Sequence, residues 1–125
     1  TNSFNIPPYI SIIGRDDVSA RHRGTDRKSL KELDCDTCHI KIVIDHQPMA
    51  LDESESIGAD LHVSGHTHAG QVWPMRTFTK MIFENDYGYS RKNDLNVIVT
   101  SGFGTWGPRI RLGNHPEVVA IDIVR

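Results

Sequence analysis

Three histidines lie in two short segments of the chain, and each segment follows a run rich in apolar residues. His46 lies in DHQP at 45–48, and His66 and His68 lie in SGHTHAGQ at 64–71. Small residues surround His66 and His68, so the backbone has room to turn around a ligand. Neutral imidazole binds Zn, Mn, Fe, Ni or Cu. Three histidines in this arrangement predict a first-row metal site, whereas a single one would be better explained as a hydrogen-bonded turn residue.

The segments before these histidines are predicted to be parallel strands. Apolar, β-branched sequences at 8–14, 40–48 and 60–65 predict strands, and the segments at 25–34 and 49–58 predict helices between them. This alternation indicates βαβ units and a parallel sheet. Ligands of such sheets bind beyond the carboxyl ends of the strands. Neighbouring strands lie about 4.8 Å apart, so we expect all three imidazoles to reach one point.

The rest of the chain has a different pattern. Strand-like segments at 87–92, 95–102 and 117–124 are separated by turns that contain Gly, Asn, Asp or Pro, which predicts antiparallel strands. No apolar run approaches the ~18 residues that a membrane span requires, and the N-terminal segment lacks the features of a signal peptide. We therefore expect a soluble chain that forms a single domain over 1–125.

The charge of the chain narrows the range of partners. The net charge is −2 and the pI is about 6.3. This balance offers no electrostatic argument for a nucleic-acid or acidic-membrane partner. The charged sequence GRDD at 14–17 is expected either to border the mouth of the site or to be solvated.

The two cysteines lie in CDTCH at 35–39. This sequence matches the haem attachment pattern and a redox Cys-x-x-Cys, and two cysteines cannot form a framework of several disulfides. The segment follows a predicted helix and precedes a strand, where the helix dipole does not lower the pKa of a thiol. A structural zinc site would need further ligands. We therefore predict a connecting turn.

Three segments of the chain together resemble the C-terminal half of calcineurin-like metallophosphoesterases. They are DHQP at 45–48, GADLHVSGHTHAGQVWP at 58–74 and SGFGTWGPRIRLGNHPEVVAIDI at 101–123. The most similar branch is bacterial, and its members often carry an N-terminal membrane segment. That branch usually has Gly where Ala69 stands. The resemblance implies an α/β fold, the C-terminal half of a four-layer α/β/β/α metallophosphoesterase sandwich with a mixed sheet.

The resemblance also implies a metal-dependent phosphoesterase that acts on phosphomonoesters or phosphodiesters. Its site would hold two divalent ions, Mn, Fe or Zn, which polarise a phosphoryl oxygen. His46 and His66 would bind one ion, and His68 the other. The family's Asp-x-His and Gly-Asp-x-x-Asp motifs belong to the N-terminal half and are not found ahead of the histidine segments here; the Asp-x-His at 60–62 falls inside the predicted strand at 60–65. We therefore expect this chain to lack a complete set of catalytic residues and to be inactive alone. The resemblance further implies that the parent protein is associated with a membrane through a segment not present here.

Two further features are candidates for parts of the site. The sequence GNHPE at 113–117 is similar to the family's Gly-Asn-His-Asp/Glu motif, but it follows the other histidines and has Pro116 in the acidic position, so a turn is the simpler interpretation. Arg109 and Arg111 suit either a bidentate phosphate contact or the surface of a strand. Arg111 is the candidate substrate contact.

Two alternatives stay open at this point. One is a zinc hydrolase in which the three histidines hold a single ion with an open water position. The other is a non-catalytic binding domain that retains the fold. Under the phosphoesterase interpretation, the partners are a phosphate-ester substrate and the missing N-terminal half of the domain. Without that half, one face of the sheet is uncovered, which favours dimerisation through it.

Overall fold

The structure is a computed structural model that describes residues 2–6, 10–24, 26–35 and 37–124. A six-stranded sheet with the order β1-β2-β3-β4-β6-β5 forms its centre. The strands are β1 (Asn2–Ile6), β2 (Ile10–Gly14), β3 (Ile40–Ile44), β4 (Leu61–Ser64), β5 (Gly88–Lys92) and β6 (Leu95–Val99), and the helices are α1 (Leu30–Leu33), α2 (Leu51–Ser56) and α3 (Arg76–Ile82). Short 3₁₀ segments span Val18–Arg23 and His68–Gly70.

The sheet is mixed, as predicted. Strands β2, β3, β4 and β6 run parallel to one another, while β1 and β5 pair antiparallel at the two edges. The parallel arrangement of β2, β3 and β4 confirms the predicted βαβ units. Residues 8 and 9 of the first predicted strand lie outside the described residues.

The predicted helices form, but they are shorter than the sequence pattern indicated. Helix α1 begins only after Ser29, whose side chain accepts a hydrogen bond from the Glu32 backbone N–H. The preceding charged residues do not continue the helix, and Arg27 instead extends its side chain to Asp45. Residue 25, where the prediction began, lies outside the described part of the chain. Helix α2 follows Ala50, which has a left-handed conformation with a φ of 62°.

The predicted strand at 117–124 is wrong. These residues have no regular secondary structure, and large side chains such as Val118 and Val124 are exposed. Alternating β-branched residues fit a pleated surface, but a strand forms only when a neighbouring edge supplies its hydrogen bonds. No described strand pairs with this segment. Helix α3 and the edge strand β1 were not predicted.

The hydrophobic core lies on one face of the sheet. Ile13, Val43 and Val97 are fully buried, and they belong to a cluster completed by apolar residues of α1, α2 and the segments beside them, namely Leu30, Leu33, Leu51, Ile57 and Ala59. Burial of these side chains supplies the main favourable free energy of folding. The two helices therefore cover this face.

The opposite face of the sheet is open at its centre. Ile44 on this face is 48% exposed, and it is registered with Val63, which is registered with Ile98. The core helices pack on the other side. This arrangement is compatible with one half of the predicted α/β/β/α sandwich, in which a second sheet would cover such a face. None of the helices within the described ranges is long and apolar enough to cross a bilayer.

Candidate metal site

His46 and His66 are brought together by the parallel pairing of β3 and β4. Each lies two residues beyond the end of its strand, and the Gly65 N–H donates to the His46 carbonyl at 3.1 Å. The His66 Nδ1 and His46 Nε2 atoms are 2.9 Å apart. The ring centroids are 4.7 Å apart with an interplanar angle of 74°. The two imidazoles thus bring one nitrogen each into close approach.

This spacing fits two ligands of one metal ion. Nitrogens that each lie 2.0–2.1 Å from a tetrahedral ion are about 3.3 Å apart, so a shift of a few tenths of an ångström would suffice. As a hydrogen bond, the same contact requires that one of the two nitrogens carries a proton. As a pair of ligands, it requires two neutral rings, because only an unprotonated nitrogen binds a metal.

His68 does not join this pair. Its Nδ1 lies 3.2 Å from the Ser101 carbonyl oxygen, which leaves Nε2 as the free ligand atom. Histidines that bind metals commonly donate their other nitrogen to a carbonyl in this way. No point among the residues described here is surrounded by three His, Cys, Asp or Glu side chains arranged to hold an ion. The structure therefore shows a histidine pair with His68 apart, and the three imidazoles do not meet at one point.

The backbone that carries these histidines has an unusual conformation. His66, His68, Ala69 and Gln71 all have positive φ values, of 69°, 49°, 49° and 49°. For residues with a side chain, such values are uncommon and cost free energy, and they concentrate at functional sites. A glycine at position 69, which the family resemblance implies, would adopt this conformation without that cost.

An acidic side chain lies near the histidine pair, and the sequence did not single it out by itself. Asp17 belongs to the GRDD segment and accepts hydrogen bonds from the Ser19 N–H at 2.9 Å and the Gln47 amide at 3.0 Å. Hydrogen bonding to Ser19, with help from His46 and Gln47, lowers the pKa of Asp17 to about 2. Its negative charge opposes the effects of burial and of His46, which lower the pKa of His66.

The rest of the GRDD segment borders the candidate site, which is one of the two expectations from the sequence. Gly14, Arg15 and Asp16 line a cavity of about 630 Å³ beside His46. Apolar residues of the open sheet face, Ile12, Ile44 and Val63, complete one wall. The cavity lies at the carboxyl ends of the parallel strands, the position at which such sheets bind ligands.

A buried network of charges supports the strand end that carries His46. Asp45 is buried and accepts hydrogen bonds from Arg15 Nε and Arg27 Nη2, both at 2.7 Å. Arg15 also contacts Glu53 at 2.5 Å. Burial by itself would raise the pKa of Glu53, but its hydrogen bonds and ion pairs with Arg15 lower it overall. Asp45 is therefore engaged by two arginines through Oδ2.

The GNHPE segment packs against the histidine loop from the other side. The Asn114 side-chain amide donates to the carbonyls of His68 and Ala69 at 2.8 and 3.1 Å. The His115 carbonyl accepts a hydrogen bond from the Ser101 hydroxyl. The segment has no helix or strand, as the prediction of a turn requires.

Arg111, the candidate substrate contact, is engaged by the protein itself. Its guanidinium donates to the carbonyls of Ser101 and Gly102 at 3.0 Å, and also to the Gly104 carbonyl. Contact with a phosphate would require some of these hydrogen bonds to be released. That role stays a prediction.

Gln71 is a positioning residue that the sequence did not reveal. Its side chain is buried and exchanges hydrogen bonds with the backbone of Trp106 at 2.7 Å in both directions, and it also donates to the Pro108 carbonyl. The histidine loop is thereby tied to residues 106–108. A contact between residues 35 positions apart leaves no local signal in the sequence.

The described residues of the CDTCH segment form a turn, as predicted, and Cys35 and Cys38 form a disulfide with each other. The Cys38 N–H donates to the Cys35 carbonyl at 3.2 Å. The disulfide was not predicted, because two isolated cysteines carry no pairing signal beyond their proximity. Neither sulfur is available as a thiolate ligand in this state.

The fold and the site thus define a mixed α/β domain with a histidine pair at the ends of two parallel strands. In amino-acid sequence, the chain is similar to proteins named metallophosphoesterases. It is 30% identical over 118 residues to an uncharacterized metallophosphoesterase of Campylobacter jejuni, with 92% of this chain and 32% of that protein covered. It is 34% identical over 128 residues to one of Aquifex aeolicus, with 97% and 48% covered.

A further relative is a protein of Bos taurus named transmembrane protein with metallophosphoesterase domain, which is 29% identical over 120 residues. That match covers 90% of this chain and 27% of the bovine protein. No family model and no solved structure matches the chain. The chain belongs to the calcineurin-like metallophosphoesterase family, as a C-terminal portion, and it spans between a quarter and a half of the length of these three relatives.

Proposed function

We propose that this chain supplies the C-terminal histidine ligands of a two-metal phosphoesterase that hydrolyses phosphomonoesters or phosphodiesters. The observation that carries the proposal is the 2.9 Å approach of His66 Nδ1 to His46 Nε2 at the ends of adjacent parallel strands. His46 and His66 would hold one divalent ion, and His68 would hold the other. Bound divalent ions polarise a phosphoryl oxygen and stabilise the charge that develops during hydrolysis.

The described residues support a partial site. Two divalent ions held about 3.5–4 Å apart repel each other, so anionic ligands must offset their charge. The acidic side chain near the pair is Asp17, and its carboxylate is already engaged by Ser19 and Gln47. The sequence has no Gly-Asp-x-x-Asp, and its Asp-x-His at 60–62 places His62 inside β4, where it is buried and contacts Ser54 rather than the histidine pair. The remaining ligands would come from an N-terminal half of the domain, and we expect this chain by itself to be inactive.

We also propose that the complete protein is associated with a membrane through a segment outside this chain. The support is the bovine relative, whose name describes a transmembrane protein.

Metal titration tests the proposed ligands. We expect Zn or Mn to bind the wild-type chain weakly and to bind His46→Ala and His66→Ala at least tenfold more weakly, because each variant removes one of the paired ligands. His39→Ala is the matched control, since His39 is exposed and precedes β3, at the opposite end of the strand from His46. Calorimetric titration gives both affinity and stoichiometry. Equal binding by wild type and His66→Ala would overturn the assignment and favour a non-catalytic domain.

Hydrolysis assays test the partial site. The substrates are a chromogenic aryl phosphate and a bis-aryl phosphate with added Mn. We expect no turnover by this chain above the rate of His68→Ala. Clear turnover by the wild type that is lost in His68→Ala would show that the site is complete here. Turnover with a single bound zinc ion per chain would instead favour the mononuclear hydrolase.

A further inference from the structure

Large apolar side chains are exposed in two segments that flank the histidine loop, as well as in the C-terminal segment 118–124. The first runs from Trp73 to Ile82 and includes α3, which buries none of its own residues. Trp73 is 76% exposed and Met81 is 80% exposed. The second segment spans 103–112, where Trp106 is 76% exposed. Exposed apolar side chains that are grouped in this way mark interaction sites.

The two segments are held side by side. The Trp73 N–H donates to the Leu112 carbonyl at 2.8 Å, and the Leu112 N–H donates to the Gln71 carbonyl at 3.0 Å. The Gln71 side chain binds the backbone at Trp106. We refer to residues 73–82 together with 103–112 as the apolar rim. Its two halves are connected by backbone hydrogen bonds beside the histidine loop.

The apolar rim is positively charged, although the chain as a whole is negative. The sequence has no acidic residue from 71 to 83 or from 100 to 116, and these stretches contain four basic residues, whereas the net charge of the whole chain is −2. Two of the four are engaged, since Arg76 pairs with Asp86 and Arg111 binds carbonyls. Lys80 and Arg109 are exposed. The overall charge therefore conceals a local basic and aromatic surface.

We propose that the apolar rim docks onto the headgroup region of an anionic phospholipid bilayer. Tryptophan, phenylalanine and methionine side chains partition into the interface, and basic residues between them attract anionic lipids. An anionic surface is favoured because neither stretch of the rim contains an acidic residue to balance the exposed Lys80 and Arg109. The proposal does not depend on metal binding. Since Phe83, after α3, lies against His66 with ring centroids 6.4 Å apart, docking would hold the histidine pair beside the bilayer.

Both tryptophans of the chain, Trp73 and Trp106, lie in the apolar rim, so intrinsic fluorescence reports on it directly. We expect vesicles of phosphatidylglycerol and phosphatidylcholine to shift the emission to shorter wavelength and to co-sediment the full chain. Vesicles of phosphatidylcholine alone should bind at least tenfold more weakly, and high salt should weaken binding to the anionic vesicles.

Two double variants test which residues bind. Phe78→Ser with Met81→Ser removes apolar contacts, and Lys80→Glu with Arg109→Glu reverses charge; we expect each to weaken vesicle binding at least tenfold. The matched controls are Tyr89→Ser on β5 and Lys28→Glu with Lys31→Glu near α1, all exposed residues outside the rim. Circular dichroism identifies any variant that fails to fold, and Lys80→Glu alone then replaces a misfolded double variant.

The proposal is overturned by an unshifted emission maximum with anionic vesicles, or by binding that the rim variants leave unchanged. It is also overturned if Ile44→Ser on the open sheet face abolishes vesicle binding, because that face would then be the one in contact. Self-association of the wild type that disappears in the Phe78→Ser, Met81→Ser variant, without vesicle binding, would show that the rim is a protein interface.

Discussion

The residues that follow β3 and β4 include the candidate metal ligands, and those after β4 have an unusual backbone conformation. His66 and His68 occupy left-handed conformations, and the loop returns through Gly70, whose φ is 77°. The Thr67 hydroxyl anchors this loop by donating to the Asp86 carbonyl at 2.6 Å. The loop therefore holds its conformation through contacts outside itself, which is how local strain persists in a folded protein.

Gly70→Ala is expected to destabilise the fold strongly and to weaken metal binding. A Cβ at this position would overlap the backbone of Arg76, so the chain must move as well as adopt a strained φ. Gly88→Ala is the control, because Gly88 has a φ of 86° but a Cβ added there would meet no atom within 4 Å. It should lose only the roughly 1–2 kcal/mol of a left-handed alanine. Denaturant titration compares the two, and equal losses would contradict the close approach.

His62 is expected to make the stability depend on pH. It is fully buried, its Nδ1 lies 2.8 Å from the Ser54 hydroxyl, and burial lowers the pKa of His62 to about 4. The unfolded chain binds the proton near pH 6.5 and the folded chain only near pH 4, so stability falls as the pH drops between these values. The loss is about 3 kcal/mol at most.

Urea unfolding at pH 7, 5.5 and 4.5 measures this dependence. His62→Gln should flatten the pH profile relative to the wild type, because its side chain does not titrate. His22→Gln, at an exposed position, should leave the profile as it is. A wild-type profile that is flat over this range would contradict the assignment.

The elements around the site are joined by buried charges as well as by the apolar core. Arg15 after β2, Asp45 after β3 and Glu53 in α2 form one network, and Glu53 also accepts a hydrogen bond from the Leu30 N–H at 2.9 Å. The network therefore connects two strand ends with both core helices. Such groups are costly to bury and are destabilising when one partner is lost.

Asp45→Ala is expected to cost about 3–5 kcal/mol, because it leaves two arginines without their shared partner. Asp94→Ala removes the partner of Arg91 in an exposed pair and should cost less than about 1 kcal/mol. Thermal and urea unfolding of the two variants gives the comparison. A small effect of Asp45→Ala would show that the arginines find other partners.

At the scale of the whole molecule, the open sheet face is the main departure from a self-contained domain. The core helices cover one face, and Ile44 on the other is half-exposed beside the cavity. We propose that in the complete protein an N-terminal half covers this face. In its place, a second copy of this chain can bury the same apolar surface.

We therefore expect the isolated chain to dimerise at micromolar concentration, and Ile44→Glu to shift it toward the monomer. Ser56→Glu is the control, because Ser56 is exposed on α2, the helix that covers the opposite face of the sheet. Sedimentation velocity over a range of concentrations distinguishes the species. A wild-type chain that stays monomeric throughout the range would contradict this expectation.

The sequence by itself determined the parallel βαβ units, the positions of β3 and β4, and the histidines at their ends. These features follow from local patterns: β-branched apolar runs predict strands, and His46, His66 and His68 follow them directly. The motif around His66 and His68 also identified the family. Local periodicity and motif spacing are readable because they depend only on neighbouring residues.

Only the tertiary structure decided which residues meet. The resemblance implied that His46 and His66 share an ion, but their 2.9 Å approach depends on the register of β3 with β4. The roles of Asp17 and Gln71 depend on contacts across 30 or more positions. The segment 117–124 has strand propensity but no partner among the described strands. Hydrogen-bond partners and burial are properties of the assembled chain, so a pattern that is local in sequence cannot specify them.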